Sequence, residues 1–302
     1  MDRRLTILSL LLLNLTLVTC HFVTKGARTP SAKKTTPLPT PPKTDLSLRQ
    51  QCDLRVQQLK KSLDSTFSYV VHPPFVVAGD LPQAKLDESA RWHILKPAQA
   101  LWASYFKKQP DKAITVLLFN GQQSYRLWAR RLFNDTKPPY FGYYTNHNRT
   151  LIMDISTGTG TLIHELTHAL IVYDFPDVPD WFNEGLASLH EGCRVGTNEI
   201  IGMLNWRLPI LKKAIKEKRL RTIPELLADQ DFYGKHVDEN YAQARYLMMY
   251  AQKLGLLRTL YAEMRARKKS EAEILATVFK LPLATLEKRF RTWAMSLTLN
   301  RE

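Results

Sequence analysis

Two histidines four residues apart, with a glutamate between them, stand inside an apolar run, TLIHELTHAL at 161–170. On a helix, residues four apart lie one turn apart on one face. His164 and His168 can then reach a single metal ion while Glu165 stands beside them. Leu162, Ile163, Leu166, Ala169, Leu170 and Val172 make this helix apolar almost all round, which marks it as buried. Burying two histidines and a glutamate is costly unless a metal or hydrogen bonds satisfy them. Sixteen positions beyond His168, just before the run GLASL, comes Glu184, in WFNEGLA at 181–187. Asp180 is placed to cap this second helix, and Phe182, Leu186 and Leu189 give it one apolar face. Two histidines and one carboxylate, with a fourth position open to water, form the ligand set of catalytic rather than structural zinc. His190, Glu191 and Cys193 follow closely and are read as surface residues, and Ser188, one turn after Glu184, is a candidate to orient a ligand.

With TLIHELTHAL followed by PDWFNEGLASL, the chain resembles the gluzincin metallopeptidases, specifically the bacterial peptidase MA-like group. It is more distantly similar to the membrane alanyl aminopeptidases. The resemblance covers roughly Thr115 to Met264. It implies an α+β, zincin-like fold with a small mixed sheet, an active-site helix and a mostly helical C-terminal lobe. It further implies one zinc ion per chain on His164, His168 and Glu184, with Glu165 as general base in the hydrolysis of a peptide or protein substrate. The gap from His168 to Glu184 is shorter than in the aminopeptidases, and their GAMEN exopeptidase motif is absent upstream, so the implied activity is that of an endopeptidase. Two further roles follow from the resemblance. The edge strand holding Gly142, Tyr143 and Tyr144 would bind the substrate backbone as an added strand, with Leu151 to Ile155 as its inner neighbour and Gly142 allowing close approach. Tyr241, at the start of a helix some sixty residues after Glu184, would donate to the oxyanion, with Tyr246 as runner-up. The competing reading is a non-catalytic zinc-binding envelope protein that retains the fold.

The N-terminus reads as an export address. Arg3 and Arg4 precede an apolar stretch from Leu5 to Val18, which suits a secretory signal and is short for a spanning helix. Leu17-Val18-Thr19-Cys20 resembles a lipoprotein box, although Thr19 stands where such boxes carry Gly, Ala or Ser; ordinary cleavage after Cys20 is the alternative. Prolines 30, 37, 39, 41 and 42 among threonines and lysines form an extended tether. The expected organisation is thus a signal at 1–20, a tether at 21–46 and a catalytic domain at 47–302, divided at 159/160 into a mixed lobe and a helical lobe. The expected location is the periplasm or cell surface, on a bacterial membrane if Cys20 is lipidated. Cys52 and Cys193 would then be left as a candidate disulfide in an oxidising compartment. The net charge of +15 raises nucleic acid as a partner, but the basic residues are scattered and no RNA-binding signature accompanies them. Solvated helix faces account for the charge, and an anionic envelope would suit it equally.

Local patterns predict a helix over 46–63, a short strand over 75–78, helix over 87–106 with a break near Pro97, and a buried strand over 113–119. A helix from about Ser124 to Phe133 and a hairpin of strands 140–144 and 150–155 follow, and beyond Gly160 nearly everything reads as helix.

Overall fold

The computed structural model describes residues 46–228 and 230–299; the expected export signal, Cys20 and the tether lie outside the described residues. The fold is mixed α+β. Helix α1 (Leu48–Ser62) begins at Ser47 with a capping box shared with Gln50. Strands β1 (Ser68–His72) and β2 (Phe75–Gly79) follow, then α2 (Gln83–Ser89), a π-helical stretch (Ala90–Leu95) and α3 (Lys96–Ser104). The expected break at Pro97 does not occur. Pro97 falls in the first turn of α3, and the wider turn before it, where Lys96 N–H bonds Arg91 O, accommodates a residue with no N–H.

Next come β3 (Ile114–Phe119), α4 (Gln122–Phe133), β4 (Gly142–Thr145) and β5 (Thr150–Asp154). They complete a five-stranded sheet in the order β1-β2-β3-β5-β4. The three central strands run parallel and both edges are antiparallel. Every residue of β2, β3 and β5 is buried, as expected of parallel strands covered on both faces. Alternation divides them between two cores. Val76, Ala78, Leu117, Phe119 and Ile152 face α1 and α4. Phe75, Val77, Val116, Leu118, Leu151 and Met153 face the helical side. Strand β1 is not apparent from the sequence pattern, because SYVVH is short and only its central valine is buried.

The helical side begins with α5 (Gly160–Asp174), which packs on β4 and β5 and against α6 (Asp180–Glu191). A short hairpin, β6 (Cys193–Val195) and β7 (Ile200–Gly202), interrupts the helices and was not expected. Helices α7 (Arg207–Lys216), α8 (Ile223–Leu227), α9 (Val237–Lys253), α10 (Leu257–Ala266), α11 (Glu271–Phe279) and α12 (Leu283–Ser296) complete the chain. One core cluster runs from β1 to α12, so the two expected lobes share a continuous interior. Gly185 lets α6 and α9 approach closely: a Cβ there would lie 2.9 Å from Ala244 O on α9. Cys52 is buried in α1 with its thiol 3.8 Å from Pro74 O, whereas Cys193 lies in β6; both are free, so the candidate pair is not joined.

Asp174, at the end of α5, ties three segments together. Its Oδ1 accepts from the N–H groups of Lys107 (3.0 Å) and Lys108 (2.7 Å), and its Oδ2 from Tyr261 Oη (2.8 Å). Arg265 Nε pairs with the same Oδ2 at 3.0 Å. Replacing Asp174 by Ala strands the Tyr261 hydroxyl and two backbone donors, while Arg265 Nε keeps its bond to the backbone carbonyl of residue 174 at 2.9 Å, so the change should cost about 2–4 kcal/mol. Thermal melts should show a fall in Tm on the order of 10 °C. A midpoint equal to that of the wild type would show that these bonds add nothing to stability.

Candidate metal centre

Helix α5 carries its polar residues where the apolar pattern placed them. His164, Glu165, Thr167 and His168 are all buried beside Leu162, Leu166, Ala169 and Leu170. Thr167 satisfies its hydroxyl within the helix, donating to Ile163 O at 2.8 Å. Helix α6 crosses α5 and brings Glu184 against both histidines. His164 Nε2 and His168 Nε2 lie 3.0 Å apart, and Glu184 Oε2 is 3.3 Å from the first and 3.4 Å from the second. Among the described residues, these three side chains form the group placed to hold a metal ion.

The donors fit an ion in kind and in spacing. Tetrahedral bonds of about 2.0–2.1 Å place neighbouring ligand atoms about 3.3–3.4 Å apart, close to the observed triangle. Asn183 Oδ1 lies 2.9 Å from His168 Nδ1 and accepts its proton, which turns the Nε2 lone pair towards the other two donors. Tyr233 donates to Glu184 Oε1 at 3.0 Å, so Oε2 alone faces the histidines. Burial and the nearby carboxylates keep the Tyr233 hydroxyl protonated.

The electrostatics call for positive charge at the same point. Burial disfavours an imidazolium at His168, but the Glu184 carboxylate outweighs it and raises the pKa to about 9. Burial likewise opposes charge on Glu184, yet the two histidines hold it far below the ordinary carboxylate range. A metal ion among the three would supply the charge that a proton on His168 otherwise provides.

Glu165 stands beside this triangle. Its Oε2 accepts from Tyr144 N–H at 2.9 Å. Burial raises its pKa, with His164 and His168 pulling the other way. Strand β4 is the sheet edge, with β5 as its inner neighbour, as expected. The bond from Asp154 N–H to Phe141 O sets the ladder phase, so the backbone groups of Gly142 and Tyr144 face the free edge. Gly142 is also required by the fold itself. Its φ is 144°, and a Cβ would lie 2.5 Å from both Ile152 O and Met153 Sδ, so glycine is required by the fit to β5. Tyr143 turns its ring to the opposite face of the sheet, with the α1 and α4 core.

Tyr241 lies at the site. Its ring stacks on His164 with centroids 6.5 Å apart and planes 22° from parallel. Tyr246 does not reach it, for its hydroxyl bonds the backbone of Asn205 at 3.3 Å. His190 and Glu191 are not surface residues. The last turn of α6 stays inside because α5, α9 and β7 all pack on this helix. His190 is fully buried, Nδ1 3.3 Å from Thr167 Oγ1, and burial with Arg245 nearby lowers its pKa to about 3. Ser188 is buried too, and its Oγ has no partner among the described atoms. Asn183 and Tyr233 were missed. Asn183 adjoins Glu184 in sequence, which was a usable signal, whereas Tyr233 sits outside any regular element.

The chain matches no family model and no curated protein.

Protein purified from metal-replete medium should carry about one metal ion per chain by elemental analysis. His164→Ala and Glu184→Ala should each lose most of it. Metal content unchanged by both substitutions would place the ion elsewhere.

Proposed function

We propose that this chain is an exported zinc metallopeptidase of the gluzincin type, with a zincin-like fold, acting on peptide or protein substrates as an endopeptidase. The observation that carries the reading is the buried His164, His168 and Glu184 triangle with Glu165 beside it and a free strand edge alongside. A bound zinc ion would act as a Lewis acid on the scissile carbonyl and lower the pKa of water towards ~7. Nitrogen and carboxylate donors without sulfur suit zinc in a catalytic rather than a structural role.

The chain's own residues supply the remainder. Glu165 is fixed through Oε2 by Tyr144 N–H, which leaves Oε1 to take a proton and return it to the leaving amine. Its raised pKa makes it a stronger base than an ordinary carboxylate. With the Tyr144 N–H given to Glu165, the outward groups of β4 that remain, those of Gly142 and the Tyr144 carbonyl, are suited to pair with an extended peptide, so the substrate would lie along the strand that holds the base. Tyr241 is the proposed oxyanion donor, since the Tyr233 hydroxyl is already given to Glu184. Export rests on the N-terminal pattern; among the described residues, no helix is long and apolar enough to cross a membrane.

A second reading has one observation in its favour. His164 and Glu184 are 0% exposed and His168 is 1% exposed, a burial that also suits a zinc centre without turnover in an envelope protein.

Glu165→Gln separates the two. It should keep its metal and lose hydrolysis of a peptide library by at least about a hundredfold. Wild-type protein that cleaves nothing with its metal in place favours the second reading. Tyr241→Phe should lower kcat by on the order of a hundredfold at unchanged metal content. Normal turnover in that variant would assign the oxyanion to another donor.

A further inference from the structure

Seven residues, close to two helical turns, separate Glu184 from Glu191, so one face of α6 carries both carboxylates. Glu184 reaches the front of the histidine pair. Glu191 comes behind, with Oε1 3.6 Å from His164 Nδ1, an ionic contact longer than a hydrogen bond. That Nδ1 is buried and has no hydrogen-bond partner among the described residues. Glu191 is in turn gripped by a fork: Arg207 Nη2 donates to its Oε1 at 2.9 Å and Arg207 Nε to its Oε2 at 3.0 Å. Asn205 supports the pair, approaching Glu191 Oε2 at 3.4 Å and accepting from Arg207 N–H at 3.1 Å. Burial works against the charge on Glu191, and Arg207 overcomes it, holding the carboxyl below its usual range.

Arg207 is itself enclosed. Its guanidinium lies 4.2 Å from the Trp206 ring on α7's leading side and 4.8 Å from the Tyr241 ring. Tyr241 stacks on His164. One arginine therefore acts on His164 along two routes, through Glu191 at the ring edge and through Tyr241 at the ring face.

We propose that Glu191, oriented by Arg207, is the positioning residue of the metal centre, its carboxylate facing His164 Nδ1 so that Nε2 is the ring nitrogen presented to the ion. This rests on the reading of His164, His168 and Glu184 as ligands. It also makes the two histidines unequal. His168 leans on the neutral amide oxygen of Asn183, while His164 leans on a carboxylate, the stronger acceptor and the one that raises ligand basicity more. Arg207 balances the charge of Glu191, so what the pair adds is orientation and local field rather than net negative charge.

The test uses the full chain, with zinc and cobalt as probes. Affinity is measured by competition with a chromophoric chelator, and the Nδ1–H of His164 by ¹⁵N NMR of labelled histidine. Glu191→Gln keeps the volume and an acceptor oxygen but not the charge. It should weaken zinc binding about tenfold, shift the cobalt absorption bands and move the His164 Nδ1 resonance, while the His168 resonance stays in place. If Glu191→Gln does not fold, Arg207→Lys keeps the charge and breaks the fork, and should weaken binding several-fold in the same assay. Wild-type affinity with an unmoved His164 resonance in either variant overturns the proposal while leaving the metal centre intact. Wild-type protein that binds neither ion overturns the centre and the proposal together.

Discussion

The interior of this protein is organised around one electrostatic demand. Glu184 is a fully buried carboxylate, and two buried imidazoles are turned towards one of its oxygens at 3.3 and 3.4 Å. A carboxylate taken out of water is expensive unless it is paired. Here the pairing requires α5 and α6 to cross at one point, because the histidines sit on one helix and the glutamate on the other. Gly185 lets α9 close over the same crossing, and the sheet edge closes it from the opposite side through Tyr144. An ion held among the three donors would neutralise the carboxylate and fix the crossing, which would link metal binding to folding.

The neighbouring groups share the labour in a consistent way. Each donor has a second group beside it on the side away from the other two: Asn183 bonded to His168, Tyr233 bonded to Glu184, and Glu191 facing His164 at 3.6 Å. Glu165 is held by a backbone N–H of β4 rather than by another side chain. That places the proposed base at the strand where an extended peptide would lie, so the position of the base and the line of the substrate derive from one hydrogen bond.

The central features were legible because they are local. A four-residue spacing on an apolar helix brings His164 and His168 to one face whatever surrounds them, and the amphipathic run around Glu184 places it on a packed helix. The hairpin of β4 and β5 was legible from two strand-forming runs around a polar turn. What escaped depended on distant partners. The burial of His190 and Glu191 is decided by α9 and β7, neither of which their local sequence reveals. Tyr233 reaches Glu184 from an irregular segment with no periodicity to mark it. The pairing of Cys52 and Cys193 stayed open for the same reason: counting cysteines says nothing of where α1 and β6 lie. Pro97 does not break the helix, because the π turn before it supplies the room it needs.

X-ray absorption at the zinc edge of the purified full-length protein tests the central claim most directly. The account predicts a first shell of nitrogen and oxygen at about 2.0–2.2 Å, with the multiple-scattering signature of two imidazoles. A sulfur shell at about 2.3 Å, or a spectrum without imidazole scattering, would contradict it.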